Sequence, residues 1–164
     1  MPEKDVLERA QKDAREGKSP STQAGEFVHE EIEHIREGKH GAKSTKQAIA
    51  IGLSKARRAG VKLPPPGAGS SRQTRRKAAR DTAVGGRAPH HTSRKRSRAT
   101  SRVLRRQGGS AASKQALSKQ ATSAARKRGA AARSAAARKA VRTKGPRKRS
   151  LAAKKAARTR ARSR

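Results

Sequence analysis

The stretch STQAGEFVHEEIEHIREGKHGAKSTKQAIAIGLSKARRAG, residues 21–60, decides the fold. At 100° per residue, Ala24, Phe27, Val28, Ile32 and Ile35 fall within about 140° of helical arc, while Glu26, Glu30, Glu33 and Glu37 gather on the opposite side within about 60°. This pattern predicts an amphipathic helix from about Ser21 to Glu37, closed by Gly38. A second helix starts at Ser44. There STKQ reads as a capping box, in which Ser44 caps the amide of Gln47 and Gln47 reaches back. The helix continues through AIAIGLSKARRA to Gly60, with Val61 as the apolar contact of a Schellman-type end. Pro64, Pro65 and Pro66 then form a stiff extended spacer. Ile49, Leu53 and Ala56 share one face, which is expected to meet Phe27, Ile32 and Ile35 in a helical hairpin across the turn 39–43.

Glu31 breaks the pattern, because it sits within the apolar stripe. The plain expectation is a side chain that snorkels at the edge of the interface; the alternative is a pair with Lys or Arg of the following helix. The glutamate stripe reads as a solvated face, or else as a surface that masks the basic tail intramolecularly or docks a basic partner. Ala48, Gly52 and Leu53 have spacings reminiscent of a helix-turn-helix, against the simpler expectation that one helix runs through Gly52. Lys55, Arg57 and Arg58 lie near the end of that helix, where cations are favoured in any case. Upstream, Pro2 suits a first helical turn, Glu3 and Asp5 complement the positive helix end, and Gly17 can close the segment. With Val6 and Leu7 as its only large apolar residues, this N-terminal helix, residues 1–18, is expected to be exposed or frayed.

Charge divides the chain. Residues 1–37 hold ten acids and six bases; residues 38–164 hold 39 bases and one acid, Asp81. The net charge is +34, and no folded core demands that ratio, so it points to a polyanionic partner. Beyond Gly67 the large apolar residues are Val84, Val103, Leu104, Leu117, Val141 and Leu151. These are too few to offset the chain entropy of ordering, and disorder is expected there. Residues 64–109 read as a linker rich in Pro, Gly, Ser and Arg. Residues 110–164 read as a basic Ala/Lys/Arg-rich tail, divided by Gly108-Gly109, Gly129 and Gly145-Pro146. Its alanines, lysines and arginines favour helix, but like charges four apart oppose it. The expectation is coil when free and partial helix on phosphate.

The chemistry of catalysis is missing. The serines lack a paired histidine and acid, and GAGSS at 67–71 lacks the lysine of a phosphate-binding loop. HEEIEH, residues 29–34, fails the zinc-protease spacing: His29 and His34 are five apart, about 140° around a helix. His40 is the other credible ligand nearby. The histidines, including the pair His90-His91, are expected to be solvated, with no metal and no cofactor. The absence of cysteine excludes disulfides and thiolate metal sites. The longest apolar run, AIAIGL at 48–53, is far short of a membrane span, and the N-terminus has no signal-peptide character.

KSTKQAIAIGLSKARRAG, residues 43–60, with STQAGEFVHEEIEHIREGKHG, residues 21–41, resembles an uncharacterised bacterial domain-of-unknown-function family whose members are often labelled DNA-binding protein. The resemblance implies a bacterial source and no defined activity. The tail is similar in composition to linker-histone tails and to bacterial histone-like proteins. It departs from linker histones in having more Arg than Lys and no Ser-Pro-Lys-Lys motif.

The expected architecture is a small all-α helical hairpin module, residues 19–63, joined to a long intrinsically disordered basic tail. The expected function is non-specific DNA binding by phosphate neutralisation, with nucleoid compaction and a cytoplasmic, nucleoid-associated location. Its candidate residues are Arg75, Arg76, Lys77, Arg94, Lys95, Arg96, Arg98, Arg105, Arg106, Arg126, Lys127, Arg128, Arg138, Lys139, Arg147, Lys148, Arg149, Lys154, Lys155 and Arg158. Arginine grips phosphate in bidentate fashion. No aromatic residue follows Phe27 to stack single-stranded bases. The alternatives are RNA or ribosome association, or an adaptor acting through the acidic amphipathic helix. The N-terminal helices are the expected seat of self-association or of a protein partner.

Overall fold

The computed structural model describes residues 2–67, 69–85 and 93–162. The pair His90-His91 lies outside them. Among the described residues there is no strand. The elements are α1 Lys4–Arg15, α2 Pro20–Arg36, α3 Thr45–Arg58, α4 Arg72–Val84, α5 Arg94–Arg105, a 3-10 turn Ser110–Ala112, α6 Lys114–Lys127 and α7 Gly129–Arg162. They fall into two compact units, Met1–Ser118 and Lys119–Arg164. No helix among the described residues is long and apolar enough to cross a membrane.

The α2–α3 hairpin forms, but α3 buries Ala48, Gly52 and Ala56 in place of the expected Ile49, Leu53 and Ala56 face; Ile49 and Leu53 are only partly buried. Ser19 caps α2 by accepting from the amide of Thr22, and Ser44 caps α3 by accepting from that of Gln47. The return arm of the second cap lands one residue early, with the Lys43 amide donating to Gln47 Oε1 at 3.0 Å. Both helices end in Schellman motifs. At α2, Lys39 N donates to His34 O and Gly38 N to Ile35 O, with Gly38 at φ 73°. At α3, Val61 N donates to Ala56 O and Gly60 N to Arg57 O. These bonds satisfy carbonyls that a helix end would otherwise leave open.

No turn interrupts α3 at Gly52, so the helix-turn-helix reading is set aside. A Cβ on Gly52 would lie 2.7 Å from Val28 Cα and 3.0 Å from the Phe27 carbonyl oxygen. The glycine is where α2 and α3 cross, and its missing side chain lets the backbones touch. Ala48 and Ala56, both 0% exposed, line the same contact.

Two corrections concern elements that join this core. α1 is not frayed. Val6 and Ala10 are buried in one cluster with Ala24, Phe27, Ala56 and Val61. The glutamate stripe of α2 supplies its anchorage: the Glu3 amide donates to Glu30 Oε1 at 2.7 Å, and Arg9 Nε pairs with Glu26 at 2.8 Å. The second correction lies at the other end of the hairpin, where Ile35, Ala42 and Ala48 pack with Ala111 and Ala112. These two alanines belong to the stretch expected as tail. They arrive on a 3-10 turn held by Thr45 Oγ1 donating to Ala111 O at 2.7 Å and Arg36 Nε donating to Ala112 O at 3.0 Å. Small residues fit where the backbones are already close, a contact that counts of large apolar residues do not register.

The tail is helical, which corrects the expectation of disorder. α6 and α7 run from Lys114 to Arg162, with Gly129 at φ 74° starting α7 and a break at Gly145, φ 66°, followed by Pro146. Helical stretches therefore alternate with the glycine breaks marked in the sequence. Alanine, lysine and arginine propensities outweigh the repulsion, because fully exposed like charges cost only a few tenths of a kcal/mol per pair. Residues 64–109, expected as a linker, hold α4 and α5.

Phe27→Ala is expected to cost about 3–5 kcal/mol, the range for truncating a buried aromatic. Thermal unfolding followed by circular dichroism measures it. Glu33→Ala, whose carboxylate pairs with half-exposed Arg36, should change stability by less than about 0.5 kcal/mol.

Candidate nucleic-acid interface

Acids and bases are segregated by the fold as well as by the sequence. Lys55 Nζ lies 2.9 Å from Glu31 Oε2 and 3.2 Å from Glu30 Oε2, and both carboxylates are buried. Glu31 therefore takes the alternative reading: its place in the apolar stripe is matched by a cation from α3. Glu30 is buried rather than solvated. On the same face Glu26 engages Arg9, Glu33 engages Arg36 and Glu37 engages Lys39. The stripe expected as solvated or free to dock a partner is engaged within the N-terminal unit.

The remaining acids with ion pairs follow suit. Asp13 and Glu16 share Lys18; the Asp13 hydrogen bond, then that of Glu16, holds the Lys18 ammonium well above its usual range. Its proximity lowers the Glu16 carboxyl. Glu3 is lowered chiefly by its hydrogen bond from His34, and then by Lys39. Lowered carboxyls stabilise the fold above their unfolded pKa and lose that contribution as pH falls through the carboxylate range. Glu3 and Glu16 are thus charged and engaged at neutral pH.

Asp81, the lone acid of the basic region, is the sharpest case. It is 3% exposed, accepting from Ser54 Oγ at 2.7 Å and pairing with Arg58 Nε at 2.9 Å. With Ala78, it fixes α4 on α3. Arg57 Nη2, meanwhile, donates to the Pro64 carbonyl. The KARR run is therefore structural: Lys55, Arg57 and Arg58 all face partners of this chain. The sequence held one signal of this, a single acid among the bases, whose meaning depends on a partner 23 residues away.

The candidate phosphate-binding residues behave differently, since all of them are exposed. Arg75, Arg76 and Lys77 lie on α4; Arg94, Lys95, Arg96, Arg98 and Arg105 on α5, with Arg106 at its C-cap. Arg126 and Lys127 end α6, Arg128 links it to α7, and the others ride on α7. Beyond the Gly145 break, Lys154, Arg147, Arg158, Arg162, Lys155 and Lys148 fall within roughly 120° of helical arc. The other side of that helix carries Ala152, Ala153, Ala156 and Ala157 together with Arg149 and Arg160. Composition alone showed a mixture of Ala, Lys and Arg; the helical register turns it into a cationic face.

Of the described histidines, only His29 is exposed as expected. His34 and His40 are partly buried, their side chains 13% and 19% exposed, and their rings meet edge to face.

Residues 18–66 match a family of unknown function, DUF6496. The matched span covers α2, α3 and the proline spacer, and excludes the basic helices. No curated protein and no solved structure matches the chain.

Asp81→Ala is expected to leave Ser54 and Arg58 without their acceptor and to cost about 1.5–3 kcal/mol, the range for hydrogen bonds to a charged group. Hydrogen exchange should quicken across Arg72–Val84 while amides of α2 keep their protection.

Proposed function

We propose that the protein binds DNA without sequence preference, through phosphate contacts made by the exposed arginines and lysines of α4 to α7, and thereby compacts it. One contrast carries this reading. The carboxylates of the ion pairs are met by Arg9, Lys18, Arg36, Lys39, Lys55, Arg58 and the histidines, all before residue 59. The 32 bases of residues 72–164 share that region with a single acid, already engaged by Arg58. Such a cationic surface condenses onto a polyanion and releases its counterions. Phosphate contacts carry no base information, and the candidate residues come with no defined base-reading geometry. The lack of aromatic stacking platforms favours duplex over single strands. The engaged state of the α2 glutamates removes the main support for an adaptor acting through that face. On this reading the protein belongs with the nucleoid.

The test is the salt dependence of duplex binding. For Z phosphates neutralised, log K falls with log salt at about −0.9Z, so a third of the 32 bases gives a slope near −10. Replacing Arg147, Lys148, Arg149, Lys154, Lys155 and Arg158 by Gln should flatten that slope by as much as about 5. Affinity should be indifferent to scrambling of the duplex. A slope shallower than about −3, or strong preference for one sequence, overturns the reading. Tighter binding to an RNA duplex than to DNA at equal salt would move it to RNA.

A further inference from the structure

We propose that Glu31, His34 and His40 bind a divalent transition-metal ion, with zinc the best fit to the donors. Glu31 and His34 are three apart on α2 and therefore project from one face. The Schellman turn at Gly38 then reverses the chain and returns His40 to the same place. One ring nitrogen from each histidine and one carboxylate oxygen of Glu31 lie within 4.8 Å of one another, while His34 Nε2 also lies 2.9 Å from Glu3 Oε1.

The carboxylate supplies an independent observation. Glu31 is 0% exposed, and neither of its oxygens accepts a hydrogen bond of proper geometry. The Lys55 ammonium is close to Oε2 but is not aimed along a hydrogen-bond direction. Oε1 faces His40 Nε2 at 3.4 Å. The other nitrogen of that ring, Nδ1, lies 3.2 Å from the Gly41 carbonyl oxygen. A carbonyl only accepts, so Nδ1 carries a hydrogen, and Nε2 is the ring atom turned towards Oε1. A backbone carbonyl on the far nitrogen is also the usual way a metal-binding imidazole is oriented.

Charge points the same way. Two buried carboxylates, Glu30 and Glu31, share one ammonium, Lys55. Buried charge is costly unless balanced. Lys55 holds Oε2, which leaves Oε1 for the ion. Two imidazoles and a carboxylate suit zinc and leave one coordination position for water. Zinc bonds of about 2.0–2.1 Å require the donors to draw closer together than the 4.8 Å within which they lie. A second group, Glu3, Glu30 and His34, also clusters. There Glu3 is exposed, and Glu30 already accepts the Glu3 amide and Lys55. The ion would tie the C-terminal end of α2 to the turn that leads into α3.

The test uses the full chain, stripped with chelator and titrated with zinc or cobalt(II) salts alone. The expected results are one high-affinity ion per chain, a tetrahedral cobalt spectrum in the visible, and a higher unfolding temperature. Imidazole resonances of His34 and His40 should shift together with the first equivalent, and that of His29 should stay in place. His34→Gln and His40→Gln should each weaken zinc binding by about 100-fold or more, and His29→Gln should leave it unchanged. The resonances decide the matter even where a variant folds poorly. Absence of micromolar binding overturns the proposal. Shifts at His29 or at His90 and His91 in place of His34 and His40 overturn it equally.

Discussion

Lys55 between Glu30 and Glu31 is the interaction on which the folded N-terminal unit turns. An unpaired charge out of water costs several kcal/mol, so two carboxylates can be buried on α2 only where α3 brings a cation to them. That requirement sets the register of the hairpin, and the glycine crossing at Gly52 permits it. Glu30, held in place, offers its other oxygen to the Glu3 amide and so anchors the start of α1. Glu31, two-sided in the same way, faces His40 across the end of the helix. One ammonium thus organises three of the unit's helical segments.

The second consequence is electrostatic. A chain with net charge +34 is poorly placed to fold by neutral packing, because its bases repel one another. Here the acids are concentrated where they can neutralise α1, α2 and α3. The single remaining acid sits where it pins α4. The rest of the positive charge is left at the surface of helices whose alanines make few demands on packing. Folding and polyanion binding therefore draw on different residues. Exposed bases can vary in position without loss of the core, whereas Lys55 and Asp81 cannot.

Helix in the alanine-rich segments deserves a separate physical account. Large apolar side chains are a good guide to whether a segment can bury a core, and by that measure residues 110–164 have none. Helix formation asks for less: backbone hydrogen bonds and a side chain that loses little entropy. Alanine, lysine and arginine meet that condition, and exposure weakens the repulsion among cations. Ala111 and Ala112 show the complementary point, since residues too small to count as core candidates become core when two backbones approach closely.

By itself the sequence determined the local elements whose causes are local. The capping residue Ser44, the terminating Gly38 and Gly60, the apolar stripe around Phe27 and the breaks at Gly129 and Gly145 all act within a turn or two of the chain. The exposure of the basic residues also follows from composition, because nothing in the chain could bury so many. What only the tertiary structure decided are the pairings over long separations: α1 on the glutamate face, the alanine turn 110–112 under Ile35, Asp81 on Ser54 and Arg58, and the meeting of Glu31, His34 and His40. A buried charge looks like an irregularity in a periodic pattern until its partner is known. The partner is chosen by how the helices cross, which no local periodicity records.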